Sequence, residues 1–231
     1  MLEKILLYER DAFLFLNGSD STYLDGLMWL YSGKQVWLPL AFFILCVLIY
    51  KKNWKETLFI LLAITLVITL CDQFASHLCK PLFSRFRPTH HPDFMNDVQV
   101  VFGYRGGRYG FMSSHAANAF GFAMFMSLLF KYKPFTLTIF AWSVITAYSR
   151  IYLGVHFISD VVPGALVGMF WGGVVYELYL YARKKILHVP LSELRVPIYS
   201  DQRKRLIIYG ILVSVCMLIL FEPQLVSCLR N

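Results

Sequence analysis

The sequence predicts an all-α fold, a single bundle of helices that crosses a membrane several times. Three observations carry this. The 231 residues are 58% hydrophobic and only 16% charged, more apolar side chain than a soluble domain of that length can hide. Apolar runs recur along the whole chain. Basic residues gather in the linkers between alternate runs, as they do in loops on one face of a membrane. Nothing in length or composition marks a second domain, so residues 1–231 are read as one unit.

Six runs are candidate spanning helices, at 36–50, 57–78, 110–130, 134–153, 156–181 and 206–221. Several of their uncharged cores fall short of the roughly 20 residues a bilayer requires, and polar residues extend most of them at one end. If each run crosses, three basic linkers lie on one side: Lys51, Lys52 and Lys55; Lys131 and Lys133; and Arg183, Lys184, Lys185, Arg195, Arg203, Lys204 and Arg205. The positive-inside rule makes that side cytoplasmic and the N-terminal stretch external. There Glu3, Glu9, Asp11, Asp20 and Asp25 outnumber Lys4, Arg10 and Lys34, in agreement.

Residues 5–31 are apolar but broken by charges and by Asn17-Gly18-Ser19-Asp20, which predicts one or two amphipathic helices on the outer interface. The opening Met1-Leu2-Glu3-Lys4 lacks the pattern of a cleaved signal peptide, leaving the first span to direct insertion. The net charge of +8 belongs to this topology rather than to a nucleic-acid partner, since no basic-aromatic module is present. Cys46, Cys71, Cys79, Cys216 and Cys228 have neither metal-ligand nor redox spacing and read as small packing residues.

The same topology collects Lys80, Arg85, Arg87, His90, His91, Arg105, Arg108, His115, Arg150, His156 and Asp160 on the outer face. Ionisable groups in or at the ends of membrane helices are costly and usually functional. These cations also run against the charge rule on one face only. A concentrated cationic site that contains acid–base groups suits a phosphate bound from outside. The polar loop from about 78 to 110 is of the length that usually serves function.

Three short segments could build such a site. His156 and Asp160 are four residues apart, which on a helix stacks them on one face. A carboxylate that accepts from one imidazole nitrogen leaves the other as nucleophile or base. Alone, the pair reads more readily as a structural hydrogen bond. Arg150, beyond a turn containing Gly154, can hold an anion bidentately. Ser113-Ser114-His115 opens the third span, where free amides and the helix dipole favour anions and His115 can protonate a leaving alkoxide. Lys80 and Arg87, bridged by a stretch beginning Pro81-Leu82, can grip further phosphoryl oxygens and stabilise charge in the transition state.

Taken in order, Lys80-x6-Arg87-Pro88, then Ser113-Ser114-His115, then Ser149-Arg150-x5-His156-x3-Asp160 resembles the three-part signature of the type-2 phosphatidic acid phosphatases. Vanadium haloperoxidases and bacterial acid phosphatases share that superfamily. The motif core covers 80–160, and the flanking runs fit the membrane branch. The resemblance implies that His156 attacks phosphorus to form a phosphohistidine, with Asp160 polarising it. His115 would protonate the leaving lipid oxygen and then activate water. Lys80, Arg87, Arg150, Ser113 and the amide of Ser114 would hold the phosphoryl oxygens. No metal and no cofactor is implied. The middle motif has Met112 and Ser114 where the family usually has Pro and Gly. Ser114 still offers an amide, so activity is expected to survive.

Other polar residues are weighed singly. Asp72, inside the second span, is either a partner of a site cation or a structural polar contact. Arg105 and Arg108 read as solvated loop charges, His90 and His91 as loop residues, and Glu177 as the partner of a nearby cation. The substrate implied is a lipid phosphate: undecaprenyl pyrophosphate, phosphatidylglycerophosphate, phosphatidic acid or lipid A. The location implied is the inner membrane, with the site facing the periplasm. A phosphotransferase using a second lipid as acceptor shares every motif. A vanadate-dependent haloperoxidase conflicts with the spans. A non-enzymatic transporter or scaffold conflicts with the intact His156, Asp160 and His115.

Overall fold

The computed structural model describes residues 2–230. Its helices are α1 (Leu2–Leu16), α2 (Thr22–Ser32), α3 (Leu38–Ile49), α4 (Trp54–Phe83), α5 (Ser114–Phe130), α6 (Lys133–Tyr152), α7 (Ile158–Lys185), α8 (Asp201–Leu220) and α9 (Glu222–Arg230). Single turns fill the linkers. Among the described residues there is no β-strand, only one isolated bridge between Phe86 and Tyr109. The all-α expectation therefore holds.

Helices α4 and α7 are each long and apolar enough to cross a membrane. Two bent pairs would each make up a further span: α2 with Gln35–Ile49, bent by 68°, and α8 with α9, bent by 80°. The first bend follows from Gly33, whose N–H closes α2 on the carbonyls of Trp29 and Leu30 while its own backbone is extended. The run expected at 36–50 thus becomes the second limb of an elbow, and α3 alone is too short to cross. The run expected at 57–78 extends at both ends. Asn53 caps it by accepting from the Lys55 N–H, and a π turn at Phe74–Cys79 carries it through Lys80.

The 5–31 stretch forms two helices, as expected. The described inward face of α1 has Glu9 and Phe13, spaced by four, and Asn17, just past its end, continues the stripe. Phe13, Phe94 and Phe157 pack there with ring centroids 5.3 to 5.6 Å apart, and Asn17 ties α1 to the outer loop through Gln99 and to the end of α6 through the Tyr152 carbonyl.

Helices α5 and α7 form the axis of the bundle. Gly164, Gly168 and Gly172 stand at every fourth residue of α7 and face Ser113, Ala117 and Gly121 at the same spacing on α5. A Cβ on Gly168 would lie 2.2 Å from the Ala117 carbonyl oxygen. Backbone-to-backbone approach of this kind lets two helices pack where lipid supplies no hydrophobic drive. It also sets the start of α5 against the start of α7, with the Ser113 N–H donating to the Asp160 carbonyl at 3.0 Å. At the far end of the bundle Phe125, Phe130, Phe135, Tyr176, Tyr179 and Ile207 make the main apolar core. There Glu177 pairs with Arg195 at 2.8 Å, as the sequence suggested.

Candidate active site

The three motif segments meet where α5 and α7 begin. Their first anchor is the extended stretch 85–87, which runs beside 108–110: the Gly110 N–H donates to the Arg85 carbonyl at 2.9 Å and the Arg87 N–H to the Arg108 carbonyl at 3.1 Å. Alternation along an extended chain turns Arg85 and Arg87 inward, 2% and 8% exposed, with Phe86 between them facing away. Arg87 donates through Nε to the Tyr109 carbonyl and through Nη1 to the Val155 carbonyl, directly before His156. Gly106 and Gly110 leave room for that guanidinium, since a Cβ on Gly106 would lie 2.8 Å from Arg87 Nη1.

His156 departs from expectation. The sequence reading put it on the helix with Asp160, but it lies in the turn before α7, which begins at Ile158. The turn is built by the Arg150 carbonyl, which accepts the N–H groups of Val155 and His156, with Gly154 at φ +70°. His156 nevertheless meets Asp160: Nδ1 lies 3.5 Å from Asp160 Oδ2, at a geometry that is not a regular hydrogen bond. Asp160 Oδ2 instead accepts the Phe157 N–H at 3.0 Å. Both side chains are buried.

Burial first, then the charges of Arg87, Arg150 and Lys80, hold the His156 imidazole well below its usual pKa. His156 is therefore held in its neutral form. Burial and the nearby Arg150 lower Arg87 to about 10, which leaves it a cation at physiological pH.

The remaining expected residues converge here. Ser113 caps α5, its Oγ accepting the Ala116 N–H at 3.4 Å. Lys80 Nζ donates to Ser76 Oγ at 3.2 Å and Ser114 Oγ at 3.4 Å. Asp72, one turn before Ser76, accepts from it at 3.5 Å, so the Asp72 carboxylate stands behind Lys80 through a serine. Arg150 is buried, bonded to Ser32 Oγ and to the Tyr104 hydroxyl at 3.1 Å. Burial raises the Tyr104 phenol, but Arg150 and then Arg87 bring it below its usual value. Met112 is buried against Ala75 and Cys79 of the π turn, which gives an apolar role to the residue standing in place of the family's Pro. Arg105 and Arg108 are exposed, the first on the Thr89 carbonyl and the second over the rings of Phe86 and Tyr109.

Sequence reasoning missed one group of partners. Arg85 Nη1 donates to Asp160 Oδ1 at 2.8 Å and Nη2 to Glu9 Oε1 at 2.9 Å. Ser159 closes the cluster, donating to Glu9 through its N–H at 2.8 Å and through its hydroxyl at 2.5 Å. The Arg85 guanidinium also lies over the Phe157 ring, 4.6 Å from its centroid. The signals were present: an Arg-Phe-Arg alternation, and a Glu in the apolar stripe of α1.

A cavity of about 390 Å³ opens beside the site. Lys34, Asp72, Ser114 and His115 line one part of it, and Ile64, Ile68 and Phe122 another. It shares Ile64 and Phe122 with a second cavity of about 320 Å³ walled by Leu40, Ile44, Leu48, Leu61 and Ile139. Among the described residues no group of three His, Cys, Asp or Glu is placed to hold a metal.

Cations, a helix N-terminus and His115 beside a cavity with an apolar wall are the parts a phosphatase acting on an apolar substrate requires. Residues 56–184, more than half of the chain, match the model of the PAP2 superfamily, and the chain belongs to that family. It is 42% identical over 229 residues to the lipid A 4'-phosphatase of Porphyromonas gingivalis, covering 99% of this chain and 97% of that one. It is 38% identical over 177 residues to the lipid A 4'-phosphatase of Bacteroides thetaiotaomicron, covering 76% and 79% respectively. The crystal structure of Aquifex aeolicus LpxE is similar with a TM-score of 0.55 and 26% identity, over 74% of this chain and 95% of that one.

Proposed function

We propose that the protein removes a phosphate monoester from lipid A, or a closely related phosphorylated lipid, at the periplasmic face of the inner membrane. Lys80, Arg87, Arg150, Ser113 and the Ser114 amide hold the phosphoryl oxygens. His156 attacks phosphorus through Nε2, Nδ1 being the nitrogen turned to Asp160, and the P–O bond to the lipid breaks. His115 gives its proton to the departing lipid oxygen. It then takes one from water as that water cleaves the phosphohistidine and releases inorganic phosphate. The Asp160 carboxylate offsets the positive charge that develops on the His156 imidazole.

The observation that supports this most is the juxtaposition of His115, Ser114 and Lys80 with a cavity that shares Trp37, Ile64, Phe122 and Trp142 with a second, apolar one. A charged head at one end and an apolar slot at the other are the two halves of a lipid phosphate. The two lipid A 4'-phosphatase relatives, one matched over nearly its full length, favour lipid A among the four lipids the sequence suggested. The basic linkers, if cytoplasmic, support a site at the outer mouth of the bundle.

The test is a phosphate-release screen of purified protein with lipid A, undecaprenyl pyrophosphate, phosphatidylglycerophosphate and phosphatidic acid, alongside His156→Ala. Release is expected to be fastest from lipid A and absent in the variant, with a phosphorylated wild-type protein trapped by alkaline quench. A variant that stays active would overturn the mechanism, and a faster rate on another of the four lipids would overturn the substrate.

A further inference from the structure

The elbow between α2 and α3 lies outside the three motif segments and ahead of the stretch 56–184 that matches the family model. It nevertheless forms part of the site. Tyr31, Ser32, Gly33, Lys34 and Trp37 line the same cavity as Ser114 and His115. The bend is fixed across its own corner: the Trp37 indole N–H donates to the Tyr31 carbonyl at 2.9 Å, and the Tyr31 hydroxyl donates to the Trp142 carbonyl of α6 at 3.3 Å. The rings of Tyr31 and Trp37 pack edge-on, with centroids 4.8 Å apart. Ser32, buried at the corner, bonds through Oγ to Nη1 of Arg150. The elbow therefore already holds one of the cations proposed to bind the phosphate.

Lys34 stands two residues further on. Its side chain is exposed and makes no hydrogen bond or ion pair with another described residue. Asp72, the carboxylate of the same cavity, is taken up by Ser76 and through it by Lys80. The Lys34 charge falls within the site. Among the cations that act on the His115 imidazole only Arg150 weighs more, while Arg87 and Lys80 weigh less. The same charge reaches the Tyr104 hydroxyl, to which Arg150 donates. Lys34 and His115 line the cavity, whereas Arg87, Arg150, Ser113 and His156 do not. Lys34 thus shares the side of the general acid, to which the lipid oxygen departs, rather than that of the phosphoryl group. We propose that Ser32-Gly33-Lys34 is a fourth segment of the active site, and that the Lys34 ammonium donates a hydrogen bond to the lipid oxygen as its bond to phosphorus breaks. Lys34 keeps its protons throughout, and the proton the oxygen gains is that of His115. The lysine adds a fixed positive charge where negative charge develops, which is where such a charge accelerates a reaction most. This rests on the lipid-phosphatase reading and adds a residue to it.

The experiment compares two phosphomonoesters that carry the same alkyl chain, one with an alkyl and one with a nitrophenyl leaving oxygen. Wild-type protein in detergent is measured beside Lys34→Met, which removes the charge, and Lys34→Arg, which keeps it. On the alkyl phosphate Lys34→Met is expected to lower kcat/KM by about tenfold to a hundredfold, the worth of a hydrogen bond from a charged donor, with Lys34→Arg recovering most of the loss. On the nitrophenyl phosphate the loss is expected to shrink, because that oxygen leaves readily as an anion. Inhibition by inorganic phosphate, which fills only the pocket of the transferred group, is expected to stay the same. So is the melting temperature, since Lys34 has no partner in the protein to lose. Unchanged rates on both esters in Lys34→Met would make Lys34 a solvated charge and overturn the inference alone. An equal loss on both would overturn it as well, and weaker inhibition by phosphate alongside would assign Lys34 to the transferred phosphoryl group. No phosphate release from either ester by wild type would overturn the lipid-phosphatase reading and the inference with it.

Discussion

Arg85 binds the carboxylate of Asp160 at 2.8 Å, with both side chains at most 1% exposed, so the group that faces His156 is itself fixed by a buried cation. Glu9 holds the other arm of the same guanidinium. A helix at the start of the chain therefore reaches His156, the proposed nucleophile, through two ion pairs, with Asp160 as the last link. Removing one partner of a buried pair leaves an uncompensated charge, at a cost of about 3–5 kcal/mol.

Glu9→Gln keeps the shape of the side chain but removes its charge and turns one of its two accepting oxygens into a donor. Because Glu9 acts through Arg85 and Asp160, kcat is expected to fall about tenfold with KM nearly unchanged, and Glu9→Asp to recover part of the loss. A rise in KM without loss of kcat would show that the cluster shapes the binding site and not the nucleophile. Arg85→Ala is expected to do worse, lowering both kcat and the melting temperature in detergent.

His115→Ala is expected to slow phosphate release by about a hundredfold or more, typical of losing a general acid. The loss should shrink for a lipid whose leaving oxygen is already acidic, since such a group needs no proton. Equal losses on good and poor leaving groups would remove His115 from the role of acid.

Gly168→Ala tests the close seam between α5 and α7. The added methyl would sit 2.2 Å from the Ala117 carbonyl and must push the helices apart. Overpacking of this kind costs about 1–3 kcal/mol. Because the seam also sets Ser113 against Asp160, activity should fall together with thermal stability. Gly173→Ala, whose Cβ meets nothing within 4 Å, is the matched control and should change neither.

The helical class, the helix positions along most of the chain and the three motif segments that meet in the candidate site were legible because they follow local rules: apolar runs, linker charge and short motifs in fixed order. Three features were not. The elbow at Gly33 was hidden because an apolar run does not record where it bends. His156 was assigned to a helix because four-residue spacing is the same whether or not the first residue is helical; the turn is fixed by the Arg150 carbonyl, which no pattern marks. Glu9 was counted as an external charge because its partners lie at positions 85 and 159, and burial over such a separation is a tertiary fact.

Ser114→Gly restores the residue usual in the family. The Ser114 amide at the helix start is retained, while the Lys80 contact to the hydroxyl, at 3.4 Å, is lost. A bond that long is worth under ~1 kcal/mol, so kcat/KM is expected to stay within about fivefold of wild type. A hundredfold loss would assign the hydroxyl a direct part in holding the phosphate.

With His156 as the proposed nucleophile, its acidity is expected to set the low-pH limit of activity. Attack needs the neutral imidazole, and burial followed by the charges of Arg87 and Arg150 keeps its folded pKa well below the usual 6.5. Lowering the pH through 6.5 therefore does not protonate it in the free enzyme. Once the ionisation of the substrate phosphate is allowed for, the acid limb of kcat/KM, which reports free-enzyme groups, is expected well below that of an ordinary histidine. Replacing a nearby cation moves the limb in a known direction. Arg150→Gln removes positive charge, favours the imidazolium, and should shift the acid limb to higher pH as well as weaken binding. A limb that stays in place in Arg150→Gln, or one already at 6.5 in wild type, would show that His156 is not the titrating nucleophile.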